Sequence, residues 1–207
     1  MYYVIASLLG YIFGCIHGSQ IVGKLKGINI KDGGVKNAGA SNTTILLGWK
    51  YGIVVALIDI FKATAAIFLL LILLQGNAIP TQEQHIYIYL TALFVIIGHN
   101  YPITMQFSGG KGTASLVGAL IAIDWRIALI GIGVLILFTI ATDYLAVGVL
   151  SMYISFLITT YYIFGLAPFF IVVGLSVLSI YKHIENYKRI IGKEETKLSS
   201  MFGKKAS

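Results

Sequence analysis

The sequence predicts an all-α integral membrane protein of about seven transmembrane helices, N-terminus out and C-terminus in, with its polar motif loops on the cytoplasmic face. Three observations carry this. Of the residues, 57% are hydrophobic and 11% charged, and the mean hydropathy is +0.87, which excludes an ordinary soluble domain. Apolar runs on the length scale of a bilayer span recur from end to end. Lysine and arginine gather on one alternate set of the intervening loops, the pattern of segments that stay cytoplasmic.

The first run, 2–23, carries Gly10, Gly14 and Gly18 at four-residue spacing, which puts them on one helix face and lets another helix approach closely. Met1-Tyr2-Tyr3 is uncharged and the run leads directly into more spans, so it reads as retained rather than as a cleaved leader. The second run, 51–75, contains Asp59 and Lys62 at i, i+3. An intramembrane charge is a functional candidate by default, and mutual pairing on one helix face is its simpler account. The third run, 86–98, ends on Gly98-His99. Runs 113–123 and 127–141 are short and separated only by Asp124-Trp125-Arg126, so they form a tight hairpin or one interrupted span. Runs 144–163 and 165–181 complete the set.

A seven-span reading places the lysine-rich first loop, the Gly98–Gly112 segment, the turn near Asp143 and the tail inside, leaving only Arg126 outside; six spans would put the basic tail outside. Seven is therefore favoured. No long polar insertion divides the chain, so it reads as a single membrane domain, 1–207, with a polar cytoplasmic tail from about 182 to 207. The formal charge of +7 flanks the spans, which points to anionic membrane lipid as partner and not to nucleic acid. The lone Cys15 excludes an intramolecular disulfide and a cysteine metal cluster, and no histidine pair has metal-ligand spacing. No sustained internal repeat suggests a two-halved transporter.

Three polar segments remain, all predicted on one side. In the second, Gly109-Gly110-Lys111-Gly112-Thr113 sets a glycine-bracketed lysine at the entrance to a span. Glycines admit close approach of backbone N–H groups, a helix N-terminus adds partial positive charge, and Lys111 adds a full one, so phosphate is the natural guest. The spacing is not that of a nucleotide P-loop. A lysine that only anchored the helix in the interface would need no flanking glycines. His99, just upstream, reads as fixing this loop by hydrogen bonding. In the first segment, Gly33 to Asn42 combines small residues with Asn37, Gly39 and Asn42; it is either a loop presenting donors or an ordinary connector. In the third, His183, Asn186 and Arg189 share a helix face, which either closes a pocket or is a solvated helix whose cations touch headgroups. No nucleophile elbow or nucleophile–histidine–acid set is present, which argues against a covalent acyl-enzyme.

Taken in order, these segments resemble the bacterial membrane glycerol-3-phosphate acyltransferase family that uses acyl phosphate as donor, the PlsY family. The resemblance runs from about Gly10 to Glu194. It is carried by Gly34, Asn37, Gly39, Ala40 and Asn42; by Gly98-His99, Pro102 and Gly109–Gly112; and by His183, Glu185, Asn186, Arg189, Gly192 and Glu194. It implies transfer of a fatty acyl group from acyl phosphate to the 1-hydroxyl of glycerol 3-phosphate, giving lysophosphatidic acid, the first step of phospholipid synthesis. It also implies a multi-pass bacterial plasma-membrane enzyme with no cofactor and no metal, and the acyl-phosphate-producing enzyme as a partner. Lys111 and His183 would be catalytic, and Asn37, Gly39, Asn42, His99, Gly109, Gly110, Gly112 and Asn186 would bind substrate. The chain departs from the family's glycine-serine-glycine-asparagine in reading Gly34-Val35-Lys36-Asn37. The family's arginine after that motif falls on Ile45, a serine near the sixth span on Ala146, and an early serine and proline on Cys15 and His17. Lys36 is then a candidate compensating cation. The alternative these departures leave open is a catalytically weakened paralogue that binds a lipid or phosphorylated ligand or partners an active acyltransferase.

Overall fold

The computed structural model describes residues 1–203, with side chains to residue 200; the last four residues of the expected tail lie outside it. Every regular element among the described residues is helical. Contacts divide the chain into two compact units, Met1–Ile123 and Asp124–Ser207, each described by itself.

The first unit contains α1 (Tyr2–Gly14), α2 (Gly18–Lys26), α3 (Ala40–Leu47), α4 (Trp49–Leu74), α5 (Thr81–Asn100) and α6 (Thr113–Ile123). The expected single span over 2–23 is therefore a broken one: α1 stops at Gly14, Cys15 to His17 leave the helix, and α2 restarts at Gly18. The glycine stripe explains the packing. A Cβ on Gly10 would strike the Thr91 carbonyl and the Phe94 side chain of α5, and one on Gly14 would strike Val95 and Gly98. Gly18 lies as close to Val55 of α4. Gly118 of α6 does the same against Ile60, and the Thr64 hydroxyl donates to the Gly118 carbonyl at 2.9 Å. The core is a small-residue and aliphatic set, with Ala6, Ile67, Leu70, Ala92 and Ala119 fully buried. In lipid, where burial of apolar surface gives no separation between protein and solvent, this closeness of backbones is what holds helices together.

The second unit contains α7 (Trp125–Thr142), α8 (Leu145–Phe164), α9 (Leu166–Ile191) and α10 (Leu198–Gly203). Gly148 of α8 packs on Thr139 and Leu135 of α7, and Val149, Met152 and Phe156 are fully buried. Helix α9 does not stop where the apolar run stops at 181; it carries His183, Asn186 and Arg189 on its last turns and ends at Gly192.

Among the described residues, six helical stretches of at least 18 residues are apolar enough to cross a membrane, counting Tyr2–Lys26 as one, and Thr113–Ile123 is a shorter apolar helix. Their outer faces are apolar: Phe61, Ile72, Leu129, Ile140 and Phe170 are each 60% or more exposed, as suits surfaces solvated by hydrocarbon.

Candidate active site

In the first unit the glycine-bracketed lysine is built on the end of α5. The chain leaves α5 at Asn100, makes a short turn over Ile103–Met105 and returns against its own origin, with Gly109 N–H donating to the Asn100 carbonyl and Gly110 N–H to the His99 carbonyl, both at 3.1 Å. A side chain on Gly109 would collide with the His99 carbonyl and Pro102; one on Gly110 would collide with His99 Nε2 and the Ala38 carbonyl. Gly112 has φ +80°, a conformation that favours glycine, and opens α6 by accepting the Leu116 N–H at 2.8 Å. Lys111 is thus half-buried beside the N-terminal end of α6, where the helix dipole and unsatisfied N–H groups favour an anion.

The approach of Ala38 to Gly110 also brings the first polar segment to this loop. Asn42 is fully buried and its amide is spent locally: Oδ1 accepts from Val35 N–H at 2.8 Å, and Nδ2 donates to the Ile30 and Gly33 carbonyls at 2.7 and 3.1 Å. Gly34, at φ +59°, has Asn42 Oδ1 where a Cβ would sit. Asn42 therefore shapes the loop. Asn37 is half-buried beside Gly39 and lies outside this staple. Lys36 is exposed and holds φ +51°, the region a glycine would favour, and it stands where the family has its second glycine.

His99 is 3% exposed and tied on all sides. Its Nδ1 is 2.8 Å from Lys62 Nζ and 3.4 Å from Ser115 Oγ. Its carbonyl accepts His17 Nε2 at 2.9 Å, and the two imidazoles stack with centroids 4.4 Å apart. The stacking of His17 on His99 is a tertiary fact that local sequence does not carry. Asp59 and Lys62 pair at 3.0 Å, as the i, i+3 spacing predicts.

In the second unit His183 is 4% exposed, and its Nδ1 donates to the Ser179 carbonyl one turn earlier at 2.8 Å, which leaves the ring lone pair on Nε2. Asn186 Nδ2 and Arg189 Nε both donate to the Glu195 carboxylate, at 2.8 and 2.7 Å. Glu195 reaches them because the chain folds back after Gly192, with Glu194 and Glu195 N–H both on the Arg189 carbonyl. Among the described residues no three His, Cys, Asp or Glu side chains form a group that could hold a metal.

The departures fall into two kinds. Val35 and Ile45 are 36% and 38% exposed, so each sits where a polar side chain would fit. Ala146 is buried near the start of α8.

Comparison with known proteins identifies the family. The family profile described as glycerol-3-phosphate acyltransferase matches residues 4–193. The glycerol-3-phosphate acyltransferase of Thermosipho melanesiensis is 32% identical over 209 residues, 99% of this chain and 98% of that protein. That of Bacillus subtilis is 33% identical over 193 residues, 92% and 95% of the two chains. Crystal structures of PlsY, an integral membrane glycerol 3-phosphate acyltransferase, superpose on the chain with a TM-score of 0.85 for the glycerol 3-phosphate form and 0.83 for the lysophosphatidic acid form. Their sequence identities are 27% and 26%, and they cover 98% and 99% of this chain and all of theirs. With the profile spanning nearly the whole sequence and relatives above 30% identity covering it almost end to end, the chain belongs to the glycerol-3-phosphate acyltransferase family.

Proposed function

We propose that this chain acylates the 1-hydroxyl of glycerol 3-phosphate with a fatty acyl group taken from acyl phosphate, giving lysophosphatidic acid and inorganic phosphate as the first step of phospholipid synthesis. The observation that carries it is the Gly109–Gly112 loop, folded back on α5 so that Lys111 stands at the N-terminal end of α6, in a chain that matches the acyltransferase family over residues 4–193. The substrate hydroxyl attacks the acyl carbonyl, the C–O bond to phosphate breaks, and the hydroxyl proton leaves on the departing phosphate. An acyl phosphate is already activated, so the enzyme's task is to hold two phosphates together and to neutralise charge as the transition state forms. The backbone of Gly109, Gly110 and Gly112 holds a phosphate and Lys111 offsets its charge. His99 supports that loop, while Asn42 keeps the Gly33–Gly39 turn in shape so that Asn37 and Gly39 face glycerol 3-phosphate. By the family resemblance His183 and Asn186 of the second unit also serve the reaction, and Lys36 supplies the cation that the family takes from the arginine at the position of Ile45.

The setting we propose is a bacterial plasma membrane crossed several times, with the motif loops cytoplasmic, where the acyl-phosphate-producing enzyme delivers its product and anionic lipid contacts the basic loops. The reaction is tested with the purified chain in lipid, given acyl phosphate and glycerol 3-phosphate, by following phosphate release and lysophosphatidic acid. Turnover that Lys111→Ala lowers by a hundredfold or more is the expected outcome, on the scale of one lost charge-assisted contact of about 3 kcal/mol. Folded protein without turnover would leave the weakened, ligand-binding relative in its place.

A further inference from the structure

The break between α1 and α2 leaves carbonyls at the end of one helix and N–H groups at the start of the next without helical partners, in a region where water is scarce. One ion pair on α4 meets both. Lys62 Nζ donates to the Gly14 and Ile16 carbonyls at 3.0 and 2.6 Å, while Asp59 Oδ1 accepts the Gly18 N–H at 3.4 Å. Both side chains are 2% exposed or less. The same ammonium reaches His99 Nδ1 at 2.8 Å, and an ammonium only donates. Nδ1 must therefore be the acceptor, which puts the ring proton on Nε2, the edge that abuts Gly110.

We infer that Asp59 and Lys62 are positioning residues for acyl transfer: they fix His99 as its Nε2–H tautomer and so fix the loop that carries Lys111. The inference rests on the reading above that this loop holds a phosphate during the reaction. The arrangement has a defined alternative. Asp59 Oδ1 lies 3.7 Å from His99 Nδ1, so without the ammonium the carboxylate is the strongest nearby acceptor and draws the proton to Nδ1. The proton then leaves Nε2, on the ring edge that abuts Gly110, and the His99 ring loses its contact with the ammonium at Nδ1. A pair that only stitched helices together would affect stability without touching this proton.

The test uses the full chain in lipid with 15N-labelled histidine, the His99 signals being assigned by their loss in His99→Asn. The unmodified chain is expected to show a protonated Nε2 and an unprotonated Nδ1. Lys62→Met is expected to move the proton to Nδ1 and to lower kcat tenfold or more, whereas Lys62→Arg keeps a donor and retains both the tautomer and most of the rate. Ala66→Gly, one turn along α4 and outside the network, serves as a stability control expected to keep the rate. A protonated Nδ1 in the unmodified chain overturns the proposal without any variant, which covers the case where Lys62→Met does not fold. So does a folded Lys62→Met that keeps either the tautomer or the rate. Absence of turnover in the unmodified chain would instead sink the acyl-transfer reading, and the tautomer signals separate that failure from failure of the clamp.

Discussion

Val35, Lys36 and Ile45 are departures from the resemblance that lie in or just after the first motif, and their surroundings say what reversal would do. Val35 and Ile45 are more than a third exposed, so Val35→Ser and Ile45→Arg remove no core packing and create no buried polar atom. Each new contact to a phosphate or an acceptor hydroxyl is worth about 1.5–3 kcal/mol if it strengthens in the transition state, so each single change should raise kcat/KM by roughly tenfold to a hundredfold. Steady-state kinetics on the two single variants and the double decide this; unchanged rates would mean that the loop does not present those positions to substrate. Lys36 separates two effects that usually travel together. It holds φ +51° without being glycine, so Lys36→Gly should stabilise the fold by roughly 0.5–1 kcal/mol while lowering activity if its cation serves the reaction. A thermal melt that rises alongside a kcat/KM that falls is the expected pair of results. The sequence showed which residues were unusual at these positions, but not that Asn42 spends its whole amide on Val35, Ile30 and Gly33, because a side chain's choice between substrate and its own loop is settled only by the fold.

At the scale of helices, most of the fold was legible because apolar runs have ends. The run 113–123 became α6 over the same residues, and 144–163 became α8 within one residue at each end. One break was not legible, and one continuation was read as a helix face without what holds it. The break at Cys15–His17 lies in continuous apolar sequence and is held by Asp59 and Lys62 some forty residues away, and the extension of α9 to Ile191 runs through polar sequence because Glu195 folds back onto it. Local pattern carries neither the break nor the Glu195 contact. A third tertiary device sits at the α7–α8 turn, where Asp143 takes Ser199 N–H on Oδ1 at 2.8 Å and the Ser199 hydroxyl on Oδ2 at 2.7 Å, while its carbonyl accepts Leu198 N–H. These bonds from Ser199 hold the Asp143 carboxyl below its ordinary range. A carboxyl whose folded pKa is depressed adds stability that is complete above its unfolded pKa of about 3.9 and is lost as pH falls through the folded value. The Leu198–Ser200 segment should therefore stay docked at pH 5 and come loose only below about pH 4, and Asp143→Asn should loosen it at pH 7. Hydrogen exchange at the Leu198 and Ser199 amides, which the docked segment protects, reports both.

For the whole molecule, the decisive quantity is how many times the chain crosses the bilayer. Helix α6 has 11 residues, about 16 Å of rise against a hydrocarbon core of about 30 Å, so length alone argues against a crossing. Charge argues for one. If α6 does not cross, the last turn of α9 and the stretch after it, with Lys188, Arg189, Lys193 and Lys197, are placed outside, against the rule that basic segments near spans stay cytoplasmic. Each such residue is worth about 1 kcal/mol near an anionic inner leaflet, so four of them are comparable with the cost of thinning the membrane around one short helix, a mismatch of about 14 Å at a fraction of a kcal/mol per Å that is shared with the neighbouring helices α4 and α5. Gly118 supports the same side of the balance, because its contact with Ile60 packs α6 along α4, which is long enough to span on its own. The expected result with single cysteines in a Cys15→Ala background is that a membrane-impermeant maleimide labels Gln82→Cys in intact cells, and labels Lys50→Cys and Lys193→Cys only after permeabilisation. Lys193→Cys labelled in intact cells, with Lys50→Cys still protected, would show that α6 turns back before crossing and that the glycine-bracketed loop and the end of α9 lie on opposite faces of the membrane, which would remove His183 and Asn186 from the reaction assigned to Lys111.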